Sequence, residues 1–504
     1  MQYLVTAQEM KEYDNYTIEE IGIPGLVLME RAALEACKVA MSMLESSSSV
    51  QKRAFLIAGY GNNGGDGLAL ARMLSERRIK VEILCVGNPE KATESWKAQR
   101  KILEHFPVEF VKQPSFPEYD IIIDALFGVG LSRTVEGEYA RAINCMNALY
   151  GKKLALDIPS GIHSDTGAVL GTAVKADVTV TFGFLKRGLM LFPGCEYAGK
   201  VIPADIGITD RAFHGKPPGM FALDGTAEEL LPVRKADGNK GTFGKVLLIA
   251  GSYNMAGAAV LAARASFRIG AGMVKVITPK ENRVILQTCI PEAMLGTADT
   301  LTQSLAWADV IAIGPGLGRS DEARKMLYTV LFESRLPMVI DADALFFIAE
   351  DISLRQGLKD CGAQGRELIL TPHPGELSGL MHKPVSALKG HLYAYGSELA
   401  MELQTVVAAK DARTVICSPK GELCLNLTGN SGMGTAGSGD VLTGMIAGLL
   451  AQGMQAFEAA CVGVCLHGLY GDRVAAQVSE YSCMAGDLVS EQFDPDEEQS
   501  PESS

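Results

Sequence analysis

No run of 18 or more apolar residues occurs in the 504-residue chain, which excludes a membrane-spanning helix. A disulfide framework is missing too. The 11 cysteines are odd in number and scattered singly, the usage of a reducing compartment. Cys461 and Cys465 stand near His467, but on an alanine- and valine-rich helical stretch, so buried core is the reading there rather than a metal site. Positive charge is short: the net charge is -13, which argues against nucleic acid as a partner. Anionic small molecules are not excluded, because backbone amides hold phosphate without net basic charge. The N-terminus carries Glu9, Glu12 and Asp14 and no apolar core of signal-peptide type, so a cytoplasmic location is expected. The P-loop pattern G-x-x-x-x-G-K-[ST] is also absent.

What the chain has is glycine, 54 residues of it, much of it in loop clusters. One such stretch is Asn430-Ser431-Gly432-Met433-Gly434-Thr435-Ala436-Gly437-Ser438-Gly439-Asp440. Apolar residues then recur at Val441, Leu442, Met445, Ile446, Leu449 and Leu450, which is helical spacing. A glycine loop running into a helix start offers free N–H donors and partial positive charge, a site for phosphate. Asp440 in the first turn is placed to take a proton from a hydroxyl that receives a phosphoryl group. Capping alone would be the plainer explanation of such a residue.

At this length two or more domains are expected. Residues 1 to about 50 read as helices, with Thr6 and Glu9 forming a capping box, followed by a serine-rich loop at 46–49. Arg53 to Ala58 then reads as a buried parallel strand leading through Gly59-Tyr60-Gly61-Asn62-Asn63-Gly64-Gly65-Asp66-Gly67 into a helix. Gly59, Gly61 and Gly64 satisfy G-x-G-x-x-G, but Glu82 falls inside the next strand rather than at its end, so the ribose carboxylate of a nicotinamide dehydrogenase is missing. Two further strands end in Asp124, before a glycine loop at 128–134, and in Asp157, before Ile158-Pro159-Ser160-Gly161. In open α/β sheets ligands bind at such strand ends.

Asn62-Asn63-Gly64-Gly65-Asp66-Gly67, Asp124-Ala125-Leu126-Phe127-Gly128 and Asp157-Ile158-Pro159-Ser160-Gly161 resemble the N-terminal domain of the bifunctional NAD(P)H-hydrate repair enzymes over roughly residues 1–210. The resemblance implies a Rossmann-like NAD(P)HX epimerase that interconverts the R and S hydrates at C6 of the nicotinamide ring. It implies that Asn62, Asn63, Gly64, Gly65 and Asp66, with Gly128, Val129, Gly130, Leu131, Ser132, Arg133 and Thr134, hold the phosphate and ribose portions. It makes Asp157 the acid/base facing the ring, and gives a K+ ion oxygens from Asn63, Asp124 and Ser160.

A turn-rich linker is expected at 208–225, with a new unit from Leu230. The second half repeats strand then glycine or polar loop: Gly244 to Ser252, Asp309 to Gly318, Met338 to Leu345 and Leu368 to Glu376, with a small-residue helix from Met255 to Gly270 and a further strand from Gly272 to Thr278. These blocks, with Thr371-Pro372-His373-Pro374-Gly375-Glu376 and Ala436 to Gly444, resemble the ADP/ATP-dependent NAD(P)H-hydrate dehydratases of the ribokinase-like superfamily from about 225 to 490. The resemblance makes Asp440 the base on the C6 hydroxyl of the S hydrate. It places Ala258, Gly316, Gly318 and His373 against the hydrate. Lys410, Asp411, Ala412, Arg413 and Thr414, with Gly439, would contact the nucleotide. Asp411 stands where the family usually has glycine.

The expected architecture is α/β, two three-layer α/β/α domains: Rossmann-like over 1–212, ribokinase-like over 223–492, with a disordered acidic tail at 493–504. The expected substrates are NADHX or NADPHX and ADP (or ATP) with Mg2+, and a homo-oligomer is expected. A ribokinase-like kinase of small alcohols fused to a nucleotide-binding module is the alternative.

Overall fold

The computed structural model describes residues 1–45, 47–223, 227–388 and 390–490. The acidic tail expected at 493–504 lies outside the described residues, as do Ser46 and part of the expected linker. The chain divides into two compact units, Gln2–Met220 and one running from Phe221 onward.

Short apolar runs separated by helices cannot pair as hairpins, and in the first unit they form a parallel sheet. Its order is Val108–Phe110, Lys80–Cys85, Arg53–Ala58, Glu118–Ala125, Tyr150–Leu156, Val178–Phe182, Lys200–Ala204. All six pairings are parallel. The first central strand therefore lies beside the fourth, the Rossmann arrangement, and the crevice where the order reverses opens between the ends of Arg53–Ala58 and Glu118–Ala125. Side chains alternate across the sheet. Ala54, Leu56 and Ala58 pack under helices Gly25–Glu45 and Asn62–Glu76, whereas Phe55 and Ile57 pack with Ile143 and Met146 of helix Gly137–Ala148. Both faces are buried, which makes three layers.

Two expectations about this unit are corrected. Residues 1–50 are not all helical: Gln2–Val5 is a strand, parallel to Leu185–Lys186 with Leu4 opposite Leu185. Its partner lies far along the chain, so no local pattern announces it. The Thr6–Glu9 capping box follows directly. Residues 208–214 are not a free linker either. A short 3-10 helix, Asp210–Phe213, sets the Phe213 ring 5.1 Å from Tyr3 and 5.0 Å from Tyr13.

In the second unit the order is Met294–Gly296, Met273–Ile277, Lys245–Ile249, Val310–Ile313, Met338–Ile340, Leu368–Leu370, Val406–Ala409, then Val415–Cys417 and Leu423–Leu425. The first seven strands are parallel and the last two pair antiparallel. Val246, Leu248 and Ala250 pack against helices Ala256–Arg268, Ser438–Ala451 and Ala456–Val478. Leu247 and Ile249, pointing the other way, are equally buried. This is a second three-layer domain, of ribokinase-like type. Among the described residues no helix is long and apolar enough to cross a membrane.

The glycines after Arg53–Ala58 serve close approach rather than unusual dihedrals. A Cβ at Gly64 would lie 1.9 Å from the Gly59 carbonyl oxygen, and one at Gly59 would lie 2.3 Å from that of Leu126. Both contacts are backbone, which cannot swing aside. Gly64→Ala is therefore expected to destabilise the first unit by about 1–3 kcal/mol or more, read as a lower thermal midpoint.

Candidate functional site

In the first unit, helix Asn62–Glu76 begins at the crevice, with Gly61 as its N-cap. Asn62 is exposed at its start, and Asn63 turns inward, its Nδ2 donating to the Phe127 carbonyl at 2.8 Å. Its Oδ1 is buried with no hydrogen-bond partner among the described residues. Phe127 N–H donates to Ser160 Oγ at 2.9 Å, and Ser160 Oγ donates to Asp124 Oδ1 at 2.6 Å. Asp124 also accepts from Ser160 N at 2.7 Å and Leu126 N at 3.2 Å. Asn63, Asp124 and Ser160 thus converge around one backbone unit. Burial pushes the Asp124 carboxyl up to about 6, against the Ser160 hydrogen bonds, because every contact named here is to a neutral donor. An orphaned amide oxygen beside a buried carboxylate and a hydroxyl is an oxygen-only set that fits a hard monovalent cation.

Asp157 follows strand Tyr150–Leu156 in the left-handed region, φ 66°, with its N–H on Val180 O at 2.7 Å. Its two oxygens differ. Oδ1 lies 2.6 Å from Lys186 Nζ, and Oδ2 would lie 3.3 Å from a Cβ at Gly128, so the glycine loop passes directly over it. Lys186 is 1% exposed and also donates to Phe182 O at 2.6 Å. The sequence reading missed this lysine. Burial first, then the Asp157 and Asp14 carboxylates, push Asp66 well above the ordinary carboxyl range, with Lys186 opposing. One buried cation therefore serves three acids. Ser132, Arg133 and Thr134 are exposed, and Arg133 stands 5.9 Å over the Tyr139 ring. Leu131, Arg133 and Thr134, with Phe127, line a cavity of about 460 Å³. Val129 O accepts from Ser164 Oγ at 3.2 Å. Glu82, by contrast, is buried in the core, where it accepts from Tyr119 Oη at 2.7 Å.

In the second unit, Gly437 caps helix Ser438–Ala451 at φ 93°, a conformation that L side chains avoid. Asp440 is the third helical residue. It does not cap; it stands beside the N–H groups of 437–439. Burial, then Asp341, push its carboxyl up to about 6, with Lys410 opposing and Asp343 adding to the rise. A Cβ at Gly439 would lie 3.2 Å from Lys410 Nζ, so the lysine faces the glycine loop. Gly429 N and Asn430 Nδ2 donate to Asp472 at 2.8 and 2.9 Å, which fastens the loop to helix Ala456–Val478. His467 on that helix is buried, 3.3 Å from Ser438 Oγ, and burial lowers its pKa to about 4. It is neutral at pH 7 and a partner of the loop.

Gly316 and Ala258 are brought together: a Cβ on Gly316 would lie 2.8 Å from that of Ala258. Gly318 N donates to Asp343 Oδ2 at 2.9 Å. His373 caps helix Pro374–Met381, Nδ1 accepting from Gly375 N at 2.9 Å, which leaves its proton on Nε2. Lys410 N donates to Pro372 O at 2.8 Å, so the His373 and Lys410 loops are neighbours. Asp411 is not among the residues of positive φ, so glycine is not needed there. Its carboxylate accepts from Ala412 N at 2.8 Å and its N–H donates to Thr414 Oγ1 at 3.4 Å. Arg413 Nη1 reaches Leu427 O at 2.9 Å.

Two α/β/α domains, each with a carboxylate set against a glycine-rich loop, define a two-site enzyme of nucleotide-like substrates. The comparisons agree domain by domain. Residues 25–188 match the family model described as YjeF-related protein N-terminus, and residues 246–493 match that described as NAD(P)H-hydrate dehydratase. The bifunctional NAD(P)H-hydrate repair enzyme Nnr of Moorella thermoacetica is 36% identical over 97% of this chain and 95% of its own length. That of Coxiella burnetii is 36% identical over 97% of this chain and 98% of its own. The solved ADP/ATP-dependent NAD(P)H-hydrate dehydratase of Bacillus subtilis is 32% identical, covering 53% of this chain and 94% of its own, with a TM-score of 0.46. The chain belongs to the bifunctional NAD(P)H-hydrate repair enzymes.

Proposed function

We propose that residues 1–212 epimerise R- and S-NAD(P)HX at C6 and that residues 223–492 dehydrate the S epimer to NAD(P)H at the expense of a nucleotide, with ADP as the cosubstrate. The observation that carries this is a carboxylate set against glycine-rich backbone in each domain, Asp157 under the Gly128 loop and Asp440 in the first turn of the helix that follows Gly437. In the first domain, Asp157 Oδ2 moves the proton of the C6 hydroxyl while the 62–66 helix start and the 128–134 loop hold phosphate and ribose. Asn63, Asp124 and Ser160 would hold a potassium ion, which would supply positive charge for an anionic substrate.

In the second domain, Ala258, Gly316, Gly318 and His373 line the hydrate, and 410–414 with Gly439 hold the nucleotide. Asp440 takes the C6 hydroxyl proton as the oxygen attacks the terminal phosphorus. The bond to the AMP oxygen breaks, and the 437–439 amides hold the transferring group. Phosphate then leaves C6, and loss of a proton from the adjacent carbon restores the ring double bond. Magnesium would be held chiefly by the nucleotide's own phosphates, where it would offset their charge. Leu26, Val27 and Leu34, all exposed on helix Gly25–Glu45, offer an apolar face for a homo-oligomer. A cytoplasmic location is part of the same proposal.

The test follows absorbance at the reduced-nicotinamide band with mixed R and S hydrates, magnesium, potassium and ADP or ATP. Full recovery with stoichiometric release of inorganic phosphate is expected. Replacing potassium by lithium should slow recovery of the R fraction alone. A stable phosphorylated product would overturn the dehydratase reading, and recovery of only the S fraction would overturn the epimerase reading.

A further inference from the structure

Asp341 has no part in the mechanism above, yet it is among the most confined polar groups of the second unit. It follows strand Met338–Ile340, and its side chain is 2% exposed. Its Oδ1 lies 2.9 Å from Lys410 Nζ, and its Oδ2 accepts from Thr443 Oγ1 at 2.8 Å. Lys410 follows strand Val406–Ala409, and Thr443 lies one turn beyond Asp440 on helix Ser438–Ala451. Three elements distant in sequence therefore meet on one carboxylate. The backbone is fixed as well: a Cβ at Gly314 would lie 1.8 Å from the Asp341 carbonyl oxygen, and Ala342 turns the chain away at φ 47°.

We infer that Asp341 is a positioning residue of the dehydration site, holding the Lys410 ammonium at the nucleotide-phosphate end of the 437–440 helix start. The inference rests on the proposed phosphoryl transfer at Asp440. A lysine on a four-carbon stem otherwise sweeps a wide volume; here the side chain is 19% exposed and its ammonium is bound to a buried carboxylate. Gly439 leaves the space into which it faces, since a Cβ there would lie 3.2 Å from Lys410 Nζ and 3.8 Å from Asp341 Oδ2. Thr443 explains why the carboxylate does not follow the lysine outward: it is tied to the same helix that carries the catalytic carboxylate. The arrangement keeps donor, anion hole and base in one register.

The charges facing Asp440 can be counted. Asp341 and Asp343 raise its pKa and Lys410 lowers it. Glu376 stands beyond Lys410, and His467 across Ser438 is neutral. Helix Ala256–Arg268 packs against this helix, but its Arg264 and Arg268 turn away, to the carbonyls of Cys289 and Val489.

The test uses the full chain and steady-state dehydration of S-NADHX with ADP and magnesium across pH. Asp341→Asn is expected to raise the nucleotide KM at least tenfold with little change in the hydrate KM, and to move the acid limb below its wild-type position near 6. Lys410→Met should also raise the nucleotide KM but move the limb upward. Thr443→Val, which keeps every charge, should raise the nucleotide KM a few-fold and leave the limb in place; it keeps the test open if Asp341→Asn does not fold. A residue that only supports the fold would lower kcat without these opposite shifts. An unchanged nucleotide KM in Asp341→Asn, or limb shifts of one sign in both charge variants, would overturn the inference. A wild-type chain with no nucleotide-dependent dehydration would instead overturn the reading on which it rests.

Discussion

Asp440→Asn is expected to lower nucleotide-dependent dehydration by about 10²–10⁴-fold, the range a positioned general base contributes. Shape and hydrogen-bonding size are retained, so nucleotide and hydrate KM should change little, and the loss should fall on kcat. The measurement is initial rate of NADH formation from pure S hydrate, so that epimerisation plays no part. The wild-type pH profile carries the same assignment. A base must be ionised to act, and burial with Asp341 holds this carboxyl at about 6, so the rate should fall as pH drops through that value. The stability effect has the opposite sign. A carboxyl whose folded pKa lies above its unfolded value is a burden to the fold where it is ionised, relieved as pH falls. Near pH 7 the asparagine variant should therefore melt no lower than wild type. Lost activity with an unchanged or raised melting point is the mark of a functional carboxylate; a lowered one would return Asp440 to a structural role.

The elements that carry chemistry were legible because their patterns are local. A short apolar strand, then glycines, then a helical period is written within a few residues; segment 53–76 folds as that pattern reads, and 430–451 folds as its glycine-loop and helix part. Local too is the end of a parallel strand, where Asp124, Asp157 and Asp341 stand. What could not be read is what those carboxylates face. Lys186 lies beyond the next strand and enters the first site only because Val178–Phe182 pairs beside Tyr150–Leu156. Thr443 carries no signal of its own in a buried helix, and its hydroxyl is assigned only by the approach of Asp341. The short strand Gln2–Val5 was hidden for the same reason, its partner lying at Leu185–Lys186. The resemblance places His373 against the hydrate; that it also caps helix Pro374–Met381 through Nδ1 follows from helix geometry that the prolines only suggest. The strand–loop–helix unit is a sequence property; the pairing of buried charges is a property of the sheet order.

That pairing makes the second large effect separable into two. Asp157→Asn should reduce epimerisation by about 10²–10⁴-fold, read as the R-hydrate rate with dehydratase in excess. It should also destabilise, because Lys186, 1% exposed, would keep its charge with only the Phe182 carbonyl of its two partners unchanged. Breaking one side of a buried pair costs about 3–5 kcal/mol, whereas replacing both sides by apolar groups is often neutral. For a domain of this size that is a fall of roughly 10 °C in the thermal midpoint. The double variant Asp157→Asn/Lys186→Met removes the stranded ammonium, so it should recover most of the lost midpoint and none of the lost epimerisation. Asp66 and Asp14 sharpen the expectation for Lys186→Met alone. Without the one cation, Asp157 would face two carboxyls that burial already raises. That single variant should lose both stability and activity although the Asp157 carboxylate is intact. If the double variant regained epimerisation along with its melting point, the chemistry would have to be carried by another group, and Asp66, whose carboxyl burial pushes well above the ordinary range, is where the search would turn.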